Sequence, residues 1–364
     1  LFQRTTATLR LPARRGAAGP GIGYNLDGAR DALLAPVWPY PLKEEAWMRK
    51  LLIPISYLPS CQQALEFGAR LSISSGASLT VLHVAPVVKN APLGHKLSGE
   101  KLAEWGVEPA YFQLLRQAEA KLNALGLFPH DTQGRPRAKH ALKVLHKGLY
   151  EVHLIGSQGQ AVRLRVSEGR PVPEILREAD DPTYDLIITG TRGHRGLRRF
   201  LLGSVAQEVA YGAPCSVLVA KGLRTDQPVL VGATGRLTSL EAVRQAGELA
   251  AALGTRITVL AIAPSAEERK EAEDHAETAL GVLAEMGLGA DVAIREGEPA
   301  EVMLQEAGQE HILVLGRLER SRVKRYFLGD ISLRTLERSS GSVLITTYPR
   351  PLGEEPTPVG PILT

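Results

Sequence analysis

The sequence predicts an α/β protein made of two tandem, open, parallel sheets flanked by helices. Three observations carry this reading. Short apolar runs such as "LLIPI", "LTVLHVA" and "DLIITG" have the length and Val/Ile/Leu content of strands buried on both faces. Segments of helical periodicity separate them, as crossovers between parallel strands require. The whole plan then occurs a second time.

In the first copy "KLLIPIS" reads as a strand starting at Lys50. "PSCQQALEFGARLSISSGA" reads as a helix, with Ala64, Leu65, Ala69 and Leu71 at helical spacing and Gly76 placed to end it. "SLTVLHVAPVV" is a second strand and "AYFQLLRQAEAKLNALG" a second helix. "AVRLRVSEGRPVPEILREA" gives strand, Glu-Gly turn and Pro-led helix. "YDLIITGTRG" is a buried strand ending in glycine, and "APCSVLVAKG" closes the copy on a strand that follows a helix. From Pro228 the same order returns as "PVLVGATG", "SLEAVRQAGELAAALGT", "RITVLAIAPS", "AEERKEAEDHAETALGVLAEMG", "ADVAIREGEPAEVMLQEA", "HILVLGRLE" and "GSVLITTYPR". The first copy is longer by an insert of about residues 136–160, where "HALKVLHKG" and "YEVHLIGSQGQ" alternate like a β-hairpin. This insert reads as a simple addition ahead of the third core strand, or as a lid or partner surface.

The organisation is thus an extension over 1–47, a first domain over 48–222, a second over 226–348 and a Pro-rich tail over 349–364. The extension is rich in Pro, Gly and Arg with no sustained period, and reads as disordered, or as upstream of a translation start at Met48. Its "GPGIGYN" has neither the preceding strand nor the following helix that a dinucleotide loop needs. At 364 residues, 44% hydrophobic and 23% charged, the chain has the profile of a globular protein with two cores. A net charge of +4 and 5% aromatic residues argue against a nucleic-acid partner, and no run reaches membrane-helix length. Cys61 and Cys215 belong to no metal or disulfide pattern, which fits a reducing, cytoplasmic setting.

The segment "ITGTRGHRGLRRFLLGSVAQEV" carries the chemistry. Gly190 stands at the carboxyl end of a strand, where open parallel sheets bind ligands. Gly193 lets a loop backbone approach a ligand closely, while Gly203 and Ser204 open a helix whose free N–H groups favour an anion. Ser204 reads as its N-cap, with a hydroxyl able to bond a phosphate oxygen. Arg192, His194, Arg195, Arg198 and Arg199 add positive charge. From the residues alone two readings stand: a phosphate site, or a tight strand-loop-helix turn with a solvated basic face.

The spacing of Gly190, Gly193, Gly203 and Ser204 resembles the ATP-binding loop of the universal stress protein family. "LLIPI", "LTVLHVAP", "SEGRPVPEIL", "YDLIITGTRGHRGL" and "GAPCSVLVAKG" match that family's landmarks in order, over 48–222 and again over about 226–348. The resemblance implies two tandem Rossmann-like, adenine nucleotide alpha hydrolase-like sandwiches, resembling a fused dimer. The closing strands at 215–221 and 343–348 would pair antiparallel, and the unit could dimerise further. It also implies ATP, with or without Mg, as ligand. The loop from Gly190 to Ser204, with Arg192, Gly193 and Gly203, would hold ribose and phosphates, with Val205 beside it, Thr189 also among the nucleotide-binding residues, and Pro54, Ile55 and Val84 around the adenine. Ser56 stands where ATP-binding members usually carry an adenine-facing Asp. A serine oxygen still accepts a hydrogen bond, at a loss of about 1 kcal/mol relative to the charged group.

The second copy changes this chemistry. Aligning "GTRGHRGLRRFLLGS" with "GRLERSRVKRYFLGD" sets Gly316 on Gly190 and Gly329 on Gly203, but Glu319 on Gly193 and Asp330 on Ser204. Like charges 4 Å apart repel by about 1 to 4 kcal/mol, so these carboxylates oppose a triphosphate. Thr234 replaces the adenine-facing residue here. The expectation is a nucleotide-responsive regulatory protein with ATP in the first domain only and an unidentified protein partner. The alternative is a scaffold or chaperone-like protein of the same fold that binds no nucleotide. No Walker A or kinase motif and no general base is evident, which leaves slow ATP hydrolysis at most. "GHKLSGE" at 94–100 and His194 read as polar loop residues.

Overall fold

The computed structural model describes residues 48–56, 58–86, 110–130, 141–146, 149–181, 183–191, 202–317 and 330–347. The expectations for 1–47, 94–100 and 349–364, and for Arg192, Gly193, His194 and Glu319, lie outside these residues.

The first repeat runs β1 (Lys50–Ile55), α1 (Leu58–Ser75), β2 (Ser78–Ala85), α2 (Ala110–Ala124), β3 (Ala141–His146), β4 (Leu149–Ile155), β5 (Ala161–Glu168), α3 (Pro171–Ala179), β6 (Leu186–Gly190), α4 (Ser204–Gly212) and β7 (Ser216–Ala220). The second runs β8 (Val229–Ala233), α5 (Leu237–Leu253), β9 (Ile257–Ala263), α6 (Arg269–Glu285), β10 (Asp291–Glu296), α7 (Pro299–Ala307), β11 (Ile312–Gly316), α8 (Asp330–Arg338) and β12 (Val343–Thr346). Gly76 and Gly254 follow α1 and α5 with φ of 72° and 67°, the left-handed turn that releases a helix C-terminus.

Each repeat contributes five core strands, ordered β5-β2-β1-β6-β7 and β10-β9-β8-β11-β12. They are parallel within each repeat. The inserted hairpin, β3 and β4, adds antiparallel strands outside β5, as its alternation indicates. The two sheets are not separate. β7 and β12 pair antiparallel and fuse them into one sheet of twelve strands among the described residues.

The register of that joint is Val343 with Val219, Leu344 with Leu218 and Ile345 with Val217. Leu218 and Leu344 occupy equivalent places in the two copies, so a local two-fold axis passes between them. Hydrogen bonds obey it: Lys221 N–H donates to Ser342 Oγ at 3.1 Å, and Thr347 N–H donates to Ser216 Oγ at 3.0 Å. Both core layers run through the joint. One packs α1, α2, α5 and α6 on one face of the sheet, and the other packs α3, α4, α7 and α8 on the opposite face.

Candidate functional site

Along β1 the ladder to β2 continues to Ile55, but the ladder to β6 ends at Leu52. The chain crosses over in opposite directions from these neighbouring strands, so a crevice opens beyond their carboxyl ends. A cleft open to solvent lies there. β1 with its exit contributes Pro54, Ile55 and Ser56, β2 contributes Leu82 and Val84, and β6 with its exit contributes Thr189, Gly190 and Thr191. Gly203, Ser204, Val205 and Ala206 supply the wall at the start of α4. All nine expected residues that are described therefore meet in one cleft; Arg192 and Gly193 belong to the segment outside the description.

The start of α4 differs from the expectation in one respect. Gly203, with φ −72° and ψ 146°, is the N-cap, and Ser204 is the first helical residue. The chain enters the helix one residue earlier because Gly203 O already accepts the first helical bond, from Gln207 N–H at 2.9 Å. A glycine cap has no side-chain acceptor, so the N–H groups of Ser204, Val205 and Ala206 have neither a helical acceptor nor a side-chain cap. Ser204 is exposed, Val205 half-buried and Ala206 buried, which orients the first turn with one edge toward the cleft. The first turn of α4 holds no acidic residue, and among the described residues no carboxylate lines the cleft. The site can therefore present helix N–H donors to an anion without a counteracting negative charge.

The apolar walls are anchored separately. Gly169, with φ +157°, turns the chain from β5 into α3, and its N–H bonds Ala85 O at 2.9 Å, tying β5 to the end of β2. Gly297 N–H repeats this bond to Ala263 O at 3.0 Å in the second copy. The Tyr184 hydroxyl lies 2.9 Å from Thr80 Oγ1 and donates to Glu178 Oε1 at 2.6 Å, so it joins α3 to β2. Burial first, and then the Glu178 charge, push the phenol's pKa upward, so it stays protonated and a donor. Arg165 bonds both Glu178 and Glu151, extending the anchor onto the hairpin. Among the described residues the hairpin contributes none to the lining of the cleft.

Sequence reasoning missed six lining residues: Cys61, Leu82, Pro171, Ile175, Thr191 and Ala206. Leu82 had a signal, lying two residues before Val84 and therefore on the same face of β2. Pro171 and Ile175 sit in "GRPVPEIL", whose helix start was legible but whose approach to the cleft depends on tertiary packing. Cys61 and Cys215 are both buried and in no disulfide, in keeping with their reading as small core residues, although Cys61 also reaches the cleft wall.

The equivalent region of the second repeat is built differently. Ser239 Oγ accepts from Thr234 N–H at 3.0 Å and donates to Gly232 O at 3.0 Å, closing the turn after β8. Gly316 abuts the first turn of α5, where an added Cβ would lie 2.5 Å from Thr238 O. Glycine at this strand end is therefore demanded by packing in the second copy. The contrast between copies that speaks to a ligand rests on Gly193 against Glu319, and on Ser204 against Asp330.

A fold of this order, with a cleft where the crossovers change direction, is an α/β architecture of the Rossmann-like kind. The universal stress protein family model matches residues 48–221 and again 227–347, and the chain belongs to that family as a tandem member. A universal stress protein of Methanocaldococcus jannaschii is 46% identical over 63 residues, which span 17% of this chain and 37% of that relative. A Staphylococcus aureus protein named for the same family is 29% identical over 135 residues, spanning 34% of this chain and 80% of the relative. A solved universal stress protein from Archaeoglobus fulgidus superposes with a TM-score of 0.55 at 18% identity, covering 82% of this chain and 98% of that one. That likeness supports the fold.

Proposed function

We propose that the chain is a regulatory protein that binds ATP, with or without Mg, in the first-repeat cleft. The second repeat supplies fold and interface rather than a second nucleotide site. The observation that carries this reading is the glycine-capped N-terminus of α4, which opens at the switch point of the sheet into a cleft whose described lining residues include no carboxylate. Phosphates would be held by the first-turn N–H groups and Ser204, with Arg192 and Gly193 on the same loop. Pro54, Ile55 and Val84 would border the adenine, and Ser56 would accept from it. Bound ATP would bias α4 and so alter a surface that a protein partner reads, provided it binds two arrangements unequally. Among the described residues no helix is long and apolar enough to cross a membrane.

The reading is tested by calorimetric titration of ATP into the full chain and into Gly193→Glu and Ser204→Asp, which copy the second repeat. Each should lose at least tenfold in affinity while keeping the fold by circular dichroism. Equal binding by all three proteins would contradict the placement of the phosphates. A scaffold that binds no nucleotide is the second reading, favoured by Ser56 and Thr234 at the adenine-facing positions. It predicts no heat of ATP binding in any of them.

A further inference from the structure

The two ends of α4 belong to different parts of the molecule. Its first residues line the cleft. At its other end the carbonyl oxygens of Ala210 and Ala213 accept from the guanidinium of Arg317, at 2.5 Å from Nη2 and 2.8 Å from Nη1. Arg317 belongs to the second repeat and is 4% exposed. A buried cation against the negative end of a helix is stabilising only where the helix is in the right place. The nine residues of α4 span roughly 13 Å at 1.5 Å per residue, so any axial shift at the cleft is felt at the Arg317 contact.

The base of this contact is fixed to the joint. Arg317 N–H donates to Thr346 O at 3.1 Å, and Thr346 belongs to β12, the strand that pairs with β7. Along its flank α4 also meets α8 of the second repeat, where Gln207 Nε2 donates to Glu337 Oε1 at 2.8 Å. The sequence position is informative. With Gly316 aligned on Gly190, Arg317 corresponds to Thr191, which lines the first-repeat cleft. The residue that faces the cleft in one copy has become, in the other, a strut into the neighbouring copy's helix.

We infer that the second repeat regulates the first-repeat cleft through α4, with Arg317 as the positioning residue that holds the far end of the helix. The inference rests on the proposal that the cleft takes ATP. Occupancy and the joint are then linked, and the linkage is reciprocal: whatever factor Arg317 adds to ATP affinity, ATP adds to the order of the joint.

The test uses the full chain freed of nucleotide, with ATP as probe and two readouts. By calorimetry Arg317→Met should bind ATP about 5- to 20-fold more weakly at unchanged stoichiometry, with Arg317→Lys intermediate. By hydrogen exchange, saturating ATP should slow amides of 207–212 and of 343–346 in the unaltered chain, and the second effect should vanish in Arg317→Met. ATP affinity within twofold of the unaltered chain in both variants overturns the inference and leaves the ATP site standing. So does protection that stops within α4. If Arg317→Met does not fold, Arg317→Lys and the exchange pattern of the unaltered chain decide it in the same terms. Failure of the unaltered chain to bind ATP removes the site and the inference together.

Discussion

Leu218 and Leu344 face each other across the antiparallel pairing of β7 and β12, each fully buried and each in the same place in its own repeat. This pair makes the chain resemble a dimer covalently joined. A sheet edge that would otherwise be open in each repeat is paired, and the two core layers become continuous. Leu344→Ala should therefore cost about 2–5 kcal/mol, the range for deleting a fully buried leucine side chain. Denaturant titration measures it. The double variant with Leu218→Ala should fall short of the sum of the single losses, since each residue packs in the other's cavity. Strict additivity would contradict direct packing across the joint.

Gly316 should resist even the smallest substitution. The neighbour its Cβ would meet at 2.5 Å is the backbone of α5, which cannot swing aside as a side chain can. Gly316→Ala should lower stability by about 1–3 kcal/mol, in the range of overpacking. A change below 0.5 kcal/mol in the denaturation free energy would show that α5 yields freely.

Ser56 lines the cleft at the end of β1 and is exposed. Ser56→Asp should raise ATP affinity about fivefold, about 1 kcal/mol for a charge-assisted bond over a neutral one. Calorimetry of ATP against GTP should show the gain for ATP alone. Equal gains or losses for both would place the base elsewhere.

Lys221 is buried at the joint, where its Nζ donates to Leu336 O at 2.7 Å and Ser339 O at 2.9 Å. Burial, partly opposed by the Glu337 charge, lowers its pKa from 10.5 to about 8. Between those values the native amine is neutral while the unfolded one is protonated. The unfolded state then binds more protons, so the residue's contribution to stability rises with pH across that window and is flat below it. Urea midpoints of the unaltered chain and of Lys221→Met from pH 7 to 10.5 should diverge in favour of the unaltered chain. Parallel curves would contradict the lowered pKa.

The repeat and the parallel sheets were legible because buried strands such as "DLIITG" and "HILVLG" and helices closed by glycine are local signals. Gly190, Gly203 and Ser204 were legible as a site from their spacing, and Pro54, Ile55 and Val84 only through the resemblance to the family, while the other lining residues depend on tertiary packing. The helix start was misplaced by one residue, since Ser204 is the better capping type and only backbone geometry shows Gly203 in that role. Arg317 was not legible as a strut. Its partners are backbone carbonyls about a hundred residues away, and such acceptors leave no mark in a sequence. Packing also explains Gly316, which from the sequence stood as the glycine ending a buried strand, with no mark of its contact with the first turn of α5.

The central claim is one nucleotide site per chain, in the first repeat. Isothermal titration of ATP into the nucleotide-free chain tests it most directly, with the stoichiometry as the quantity read. The account predicts one ATP per chain, with binding abolished or weakened at least tenfold by Ser204→Asp. No binding, or two sites of comparable affinity that survive Ser204→Asp, would contradict it.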